Sequence, residues 1–113
     1  MVLEVIKFNE REFIFQIYSF SNGNIAMISE GKEIQMGSIT MSSKYANEIT
    51  STNIVPPKTS VLLPKLISEI ITHKLGGINI ISCYFEKELD NETSKHIMTS
   101  IRNILQKEQL SEQ

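Results

Sequence analysis

Apolar residues follow one period along the first half of the chain and another after its paired prolines. Val2 to Phe8 reads as a strand closed by the polar stretch Asn9-Glu10-Arg11-Glu12, and Phe13 to Phe20 reads as a second, rich in aromatic and β-branched residues. Ser21-Asn22-Gly23-Asn24 contains an Asn-Gly pair, which tolerates the positive φ angles of a type I′ turn and predicts a hairpin into a third strand, Ile25 to Ser29. Glu30-Gly31-Lys32-Glu33 supplies another turn, leading into Ile34 to Met41 as strand four. After the polar segment Ser42 to Glu48, the weakly alternating run Ile49 to Val55 ends at Pro56-Pro57, which cannot continue a ladder, and so reads as an edge-like fifth strand.

The period then becomes helical. Wound as a helix, Thr59 to Leu75 places Leu63, Leu66, Ile67, Ile70 and Ile71 on one stripe, with Ser68, Glu69, Thr72 and His73 towards the opposite side. Thr59 or Ser60 can cap its start, Pro64 fits only in the first turn, and Gly76-Gly77 supplies a left-handed stop behind His73 and Lys74. Ile78 to Phe85 is apolar on both alternating sets, the pattern of a central strand covered on both faces. Asp90 or Asn91 can cap a closing helix whose stripe is Ile97, Met98, Ile101, Ile104 and Leu105, with fraying expected from Gln109 to Gln113.

These elements predict one two-layer α+β domain over residues 1–113: an antiparallel sheet of about six strands with two helices on one face. The second strand offers Phe13, Phe15 and Ile17 to one face of the sheet and Ile14, Tyr18 and Phe20 to the other. Two helices cannot cover both faces, so an apolar face is left over for a partner.

Composition narrows the function. The 113 residues are 41% hydrophobic and 21% charged, an ordinary globular mixture. The 11 basic and 13 acidic residues are scattered to a net charge of −2, leaving no basic footprint for nucleic acid. A lone cysteine, Cys83, precludes an intrachain disulfide and points to a reducing compartment. An acidic residue near the N-terminus and the lack of a long apolar run argue against export or membrane anchoring, so a cytoplasmic location, or also a nuclear one, is expected.

Candidate chemistry is sparse. His73 and His96 fall on different predicted helices without ligand-spaced carboxylates or cysteines, and Cys83 in a central strand reads as a small core hydrophobe. Gly76-Gly77 precedes a strand rather than opening a helix, so it lacks the setting of a phosphate loop. Glu86, Glu88, Asp90 and Glu92 suit a solvated face beside a helix N-terminus, and the serines lack a G-x-S-x-G elbow. No metal, cofactor or catalytic group is expected, and a protein-binding role without enzyme activity is the reading that remains.

The segment Gly37-Ser38-Ile39-Thr40-Met41-Ser42-Ser43-Lys44-Tyr45 resembles the Met-x-Ser-Arg-Tyr strand end of the proteasome assembly chaperone 4 family, with Lys44 in place of the arginine. The likeness continues through the Ser/Thr-rich Ile49 to Val55, the helix from Lys65 to Leu75, Ile80-Ile81-Ser82-Cys83-Tyr84 and a closing helix, covering roughly Phe13 to Lys107. The sister family, proteasome assembly chaperone 3, has the same architecture. The resemblance implies a chaperone without nucleotide or metal. It would act as a heterodimer with its sister chaperone, or as a homodimer in isolation, and help proteasome α-subunits assemble into a ring. On that reading the leftover sheet face meets the sister chain, and Met41, Ser43, Lys44 and Tyr45 contribute to a separate contact with α-subunits. Two other readings make distinct demands: a longin- or roadblock-like trafficking scaffold would bring different partners, and a small enzyme would need a deep polar pocket floored by Cys83 or a histidine.

Overall fold

The computed structural model describes the backbone of residues 2–111 and the side chains of residues 2–107. Five strands come first: β1 (Val2–Phe8), β2 (Arg11–Phe20), β3 (Gly23–Glu30), β4 (Ser38–Tyr45) and β5 (Glu48–Val55). Helix α1 (Leu63–Leu75), strand β6 (Ile78–Tyr84) and helix α2 (Asn91–Ser111) complete the order. They build a six-stranded sheet in the order β1-β2-β3-β6-β4-β5.

The expected all-antiparallel sheet is corrected at one place, because β6 pairs parallel with β3 and antiparallel with β4. The α1 crossover returns the chain between two strands already formed, so β3 and β4 stand on either side of β6. That insertion also explains why β4 starts at Ser38 and not at Ile34. The link from Glu30 to Ser38 must step across the slot that β6 occupies, roughly 10 Å, and a tight hairpin cannot reach. Residues 31–37 make that step without a ladder of their own; the Ser29 hydroxyl donates to the Glu33 carbonyl and accepts from the Gln35 amide.

The turns also differ from expectation. In the β1–β2 hairpin, Phe8 pairs with Arg11, and the loop residues Asn9 and Glu10 have φ of 50° and 64°, the signs a type I′ turn requires. In the β2–β3 hairpin, Phe20 pairs with Gly23, so Ser21-Asn22 is the loop and Gly23 is already in the strand. Gly23 is needed there for a different reason: a Cβ would stand 2.1 Å from the carbonyl oxygen of Ile78, where β3 and β6 meet.

The core lies on one sheet face. Phe13, Phe15, Ile17, Ala26, Ile28 and Ile81 pack with Ile67 and Ile71 of α1 and Ile97, Ile101 and Leu105 of α2. Helix α1 opens at Leu63 with Pro64 in the first turn, as expected, but neither Thr59 nor Ser60 caps it. The Ser60 hydroxyl instead accepts from the Leu89 amide, and the Ser60 amide donates to the Glu88 carboxylate. The helix is also rotated from its apolar stripe. Ser68 and Thr72, expected on the wet side, are fully buried, whereas Leu66 is exposed. The sheet beneath explains this, since its buried side chains there include Ser38, Thr40, Ser42 and Asn79. Asn79 donates to the Thr72 hydroxyl at 3.0 Å and to the Gly76 carbonyl, and accepts from Asn24 at 2.8 Å, so this polar layer is largely satisfied.

The α1 stop at Gly76 and Gly77 has positive φ at both residues, as expected. Asp90 caps α2 by accepting from the Thr93 amide at 2.7 Å, and the Thr93 side chain, followed by that amide, holds its carboxyl below the usual range. Of the tail expected to fray, Gln109 to Ser111 continue α2, and Glu112 and Gln113 lie outside the described residues.

Candidate protein-interaction surface

Strand side chains alternate between faces, so the face opposite the helices is set by register. Across it, Tyr18, Ile25, Ile80 and Met41 form one row over β2, β3, β6 and β4, each opposite the next. Beside it runs Phe20, Gly23, Ile78 and Ser43, and on the other flank Gln16, Met27, Ser82 and Ile39. No charged residue interrupts these rows. The central row remains open to solvent: Tyr18 is 42% exposed, Ile25 41%, Ile80 36% and Met41 41%, with Phe20 reaching 60%. Leu3 and Val5 of β1 add to the same face. The expectation that β6 is covered on both faces therefore fails on this side, although its place inside the sheet is as expected.

A contiguous apolar field of β-branched and aromatic side chains is what an association surface needs. Sealing away each half-exposed isoleucine or tyrosine would contribute about 1 kcal/mol.

The four residues singled out from the sequence do not form one cluster. Met41, Ser43 and Tyr45 lie on the open face, and Lys44 points to the helix side. The sequence pattern ends strand four at Met41 and makes Ser42 to Glu48 a polar segment after it, whereas β4 runs on through Tyr45, paired with β5 up to a two-residue turn, Ala46-Asn47. Tyr45, 86% exposed, stands at that end.

One feature of the opposite side left no trace in the sequence pattern. The Arg11 guanidinium donates from Nε and Nη2 to both Glu30 carboxylate oxygens at 2.7 and 2.6 Å. It also reaches the carbonyls of Lys87 and Glu88, while the Glu86 amide donates to Glu30. Burial alone would raise the Glu30 carboxyl, but Arg11 and the Glu86 amide outweigh it and the net direction is downward. The Arg11 pKa is raised by the hydrogen bond to Glu30. This clamp fixes the 86–88 turn between β6 and α2. Residues 11 and 30 are too far apart for any local motif to announce them.

Cys83 lines a groove with Met36, Pro56, Pro57 and Lys58, but burial pushes its thiol up to about 12, so it is neutral at physiological pH and not a thiolate nucleophile. No histidine lines that groove. His73 lines a different cavity, and His96 stacks on Phe8 with ring centroids 4.5 Å apart. Among the described residues, no group of three or more His, Cys, Asp or Glu side chains could hold a metal ion, and no helix is long and apolar enough to cross a membrane.

No protein-family model and no curated protein matches the sequence. Among solved structures, the chain is similar to one in the crystal structure of a chaperone complex for yeast 20S proteasome assembly. The TM-score is 0.60 at 12% identity, over 91% of this chain and 95% of that one. The two share a fold: a six-stranded mixed sheet with two helices in this chain, matched over nearly the whole length of both.

Proposed function

We propose that the protein is an assembly chaperone of the proteasome core particle, working as one half of a dimer with a related chain and promoting α-subunit ring formation. The open apolar sheet face carries the reading, because a surface of that composition needs a protein cover. The shared fold with a chain of a proteasome assembly chaperone complex, together with the strand-end motif at Met41 to Tyr45, supports the choice of client. On this proposal Met41 sits within the sister interface, in the same row as Ile80. Lys44 and Tyr45, at the hairpin end, are left to touch α-subunits.

The test is capture of the tagged chain from its own cell extract, with bound proteins identified by mass spectrometry. A related small chaperone and proteasome α-subunits are expected. Lys44→Glu with Tyr45→Ala should release the α-subunits and keep the sister chain, whereas Met41→Arg should release the sister. Capture of neither class, or trafficking components in their place, would refute the proposal.

A further inference from the structure

Asn22-Gly23 is the one Asn-Gly pair in the chain; every other asparagine precedes Glu or Ile. The pair carries a reaction of its own. The backbone nitrogen that follows an asparagine can attack the side-chain amide carbon, and a glycine there leaves the approach unhindered by any Cβ. The fold places this pair at the seam where β3 meets β6. Asn22 is exposed, but its main chain is held from both sides. Its carbonyl accepts from the Ile78 amide at 3.0 Å, so the amide and carbonyl of the next residue, Gly23, turn the other way, to Phe20 of the hairpin. The same Asn22 oxygen lies so near Gly77 that a Cβ there would come within 2.5 Å of it. These contacts fix the peptide plane between Asn22 and Gly23. The attack requires that plane to turn and the Gly23 N–H to leave its hydrogen bond.

We propose that Asn22 is a modification site gated by the seating of β6: shut in the folded chain, and open to deamidation whenever the β3–β6 seam parts. The Gly23 nitrogen loses its proton and bonds to the side-chain carbonyl carbon of Asn22. The bond from that carbon to the side-chain nitrogen breaks, ammonia leaves, and a cyclic imide remains. Water then opens the imide at either carbonyl. Opening at the main-chain carbonyl routes the chain through the side chain and gives isoaspartate; opening at the other gives aspartate. Isoaspartate lengthens the main chain by a carbon and turns the acceptor of the Ile78 amide into a free carboxylate on a branch, so β6 cannot regain its register against β3. Aspartate keeps the main chain intact and leaves its side chain in water. Isoaspartate at this position is therefore a one-way mark on chains in which β6 was not seated.

Ageing the full chain in warm, mildly alkaline buffer, with and without unfolding urea, tests this, with peptide mapping and enzymatic methylation of isoaspartate as readouts. In the unfolded chain Asn22 should convert ahead of the other asparagines, and in the folded chain it should convert at least about tenfold more slowly. Across urea concentrations below the unfolding transition, conversion should rise in step with amide exchange at Ile78, because one opening exposes both. Isoaspartate chains returned to native buffer should leave the β6 amides unprotected, whereas Asn22→Asp should fold with an unchanged Tm. Conversion in the folded chain within about tenfold of the unfolded one would overturn the proposal. So would conversion that rises without Ile78 exchange, isoaspartate chains that recover full protection of β6, or an Asn22→Asp chain as disrupted as the isoaspartate one.

Discussion

Replacing Glu30 with alanine removes the carboxylate from a cation that is held almost out of water and leaves it only the Lys87 and Glu88 carbonyls. The Arg11 and Glu30 side chains are 14% and 5% exposed, and the pair is bidentate at 2.7 and 2.6 Å. Breaking such a pair from one side costs roughly 3–5 kcal/mol, and the solvent still reaching Arg11 places this case near the lower end, at about 3 kcal/mol. With a urea dependence of about 1.5 kcal/mol per molar, the unfolding midpoint should fall by about 2 M. The double replacement Arg11→Met with Glu30→Leu removes both charges and should recover most of the loss, since the penalty arises from the orphaned ion. The pH dependence has a definite sign. The Glu30 carboxyl is held below its ordinary value, so the native state takes up that proton less readily than the unfolded chain. The pair's contribution is then complete above the unfolded value of about 4.3 and is lost as pH falls through the lower native one. The stability gap between wild type and Glu30→Ala should therefore narrow as pH falls below the unfolded carboxyl's value. A single-variant loss under about 1 kcal/mol, a double variant no better than the single, or a gap unchanged on acidification would refute the reasoning.

Cys83 should resist thiol reagents at about pH 8 and react fully once the chain is unfolded, because burial pushes its thiol up to about 12; fast labelling of the native protein would contradict its placement. Gly23→Ala would set a methyl group 2.1 Å from the Ile78 carbonyl oxygen and force β3 from β6. The cost should be about 2 kcal/mol or more, read as a fall of roughly 10 °C in Tm.

Much of this architecture could be read from local pattern. The aromatic and β-branched run Phe13 to Phe20 divides cleanly into Phe13, Phe15 and Ile17 on the core side and Tyr18 and Phe20 on the open side, because a strand's period of two leaves no other choice. The Gly76-Gly77 stop, the Asp90 cap and the edge position of β5 were equally visible, each resting on the chemistry of one or two residues. What escaped was non-local. Nothing near Ile78 announces that β6 will slide between β3 and β4, and so the parallel pairing and the late start of β4 were both missed. The apolar stripe of α1 misled for a related reason. Ser68 and Thr72 look like solvent-facing residues until the polar layer around Asn79 is in place beneath them. Met41 to Tyr45 stand out as a motif at a strand end, with Ser42 onward read as a polar segment after the strand, yet the strand continues to Tyr45 and alternation along β4 divides them between the two faces.

The central claim is that the uncovered sheet face is held by a second polypeptide. Sedimentation equilibrium of the purified chain, alone and mixed with its co-purifying companion, compared with Ile80→Arg, tests it most directly. The wild type should sediment as a dimer, with itself or with the companion, and Ile80→Arg should sediment as a monomer with an unchanged Tm. A wild-type chain that stays monomeric at hundreds of micromolar in both settings, or an Ile80→Arg chain that still dimerises, would contradict the account.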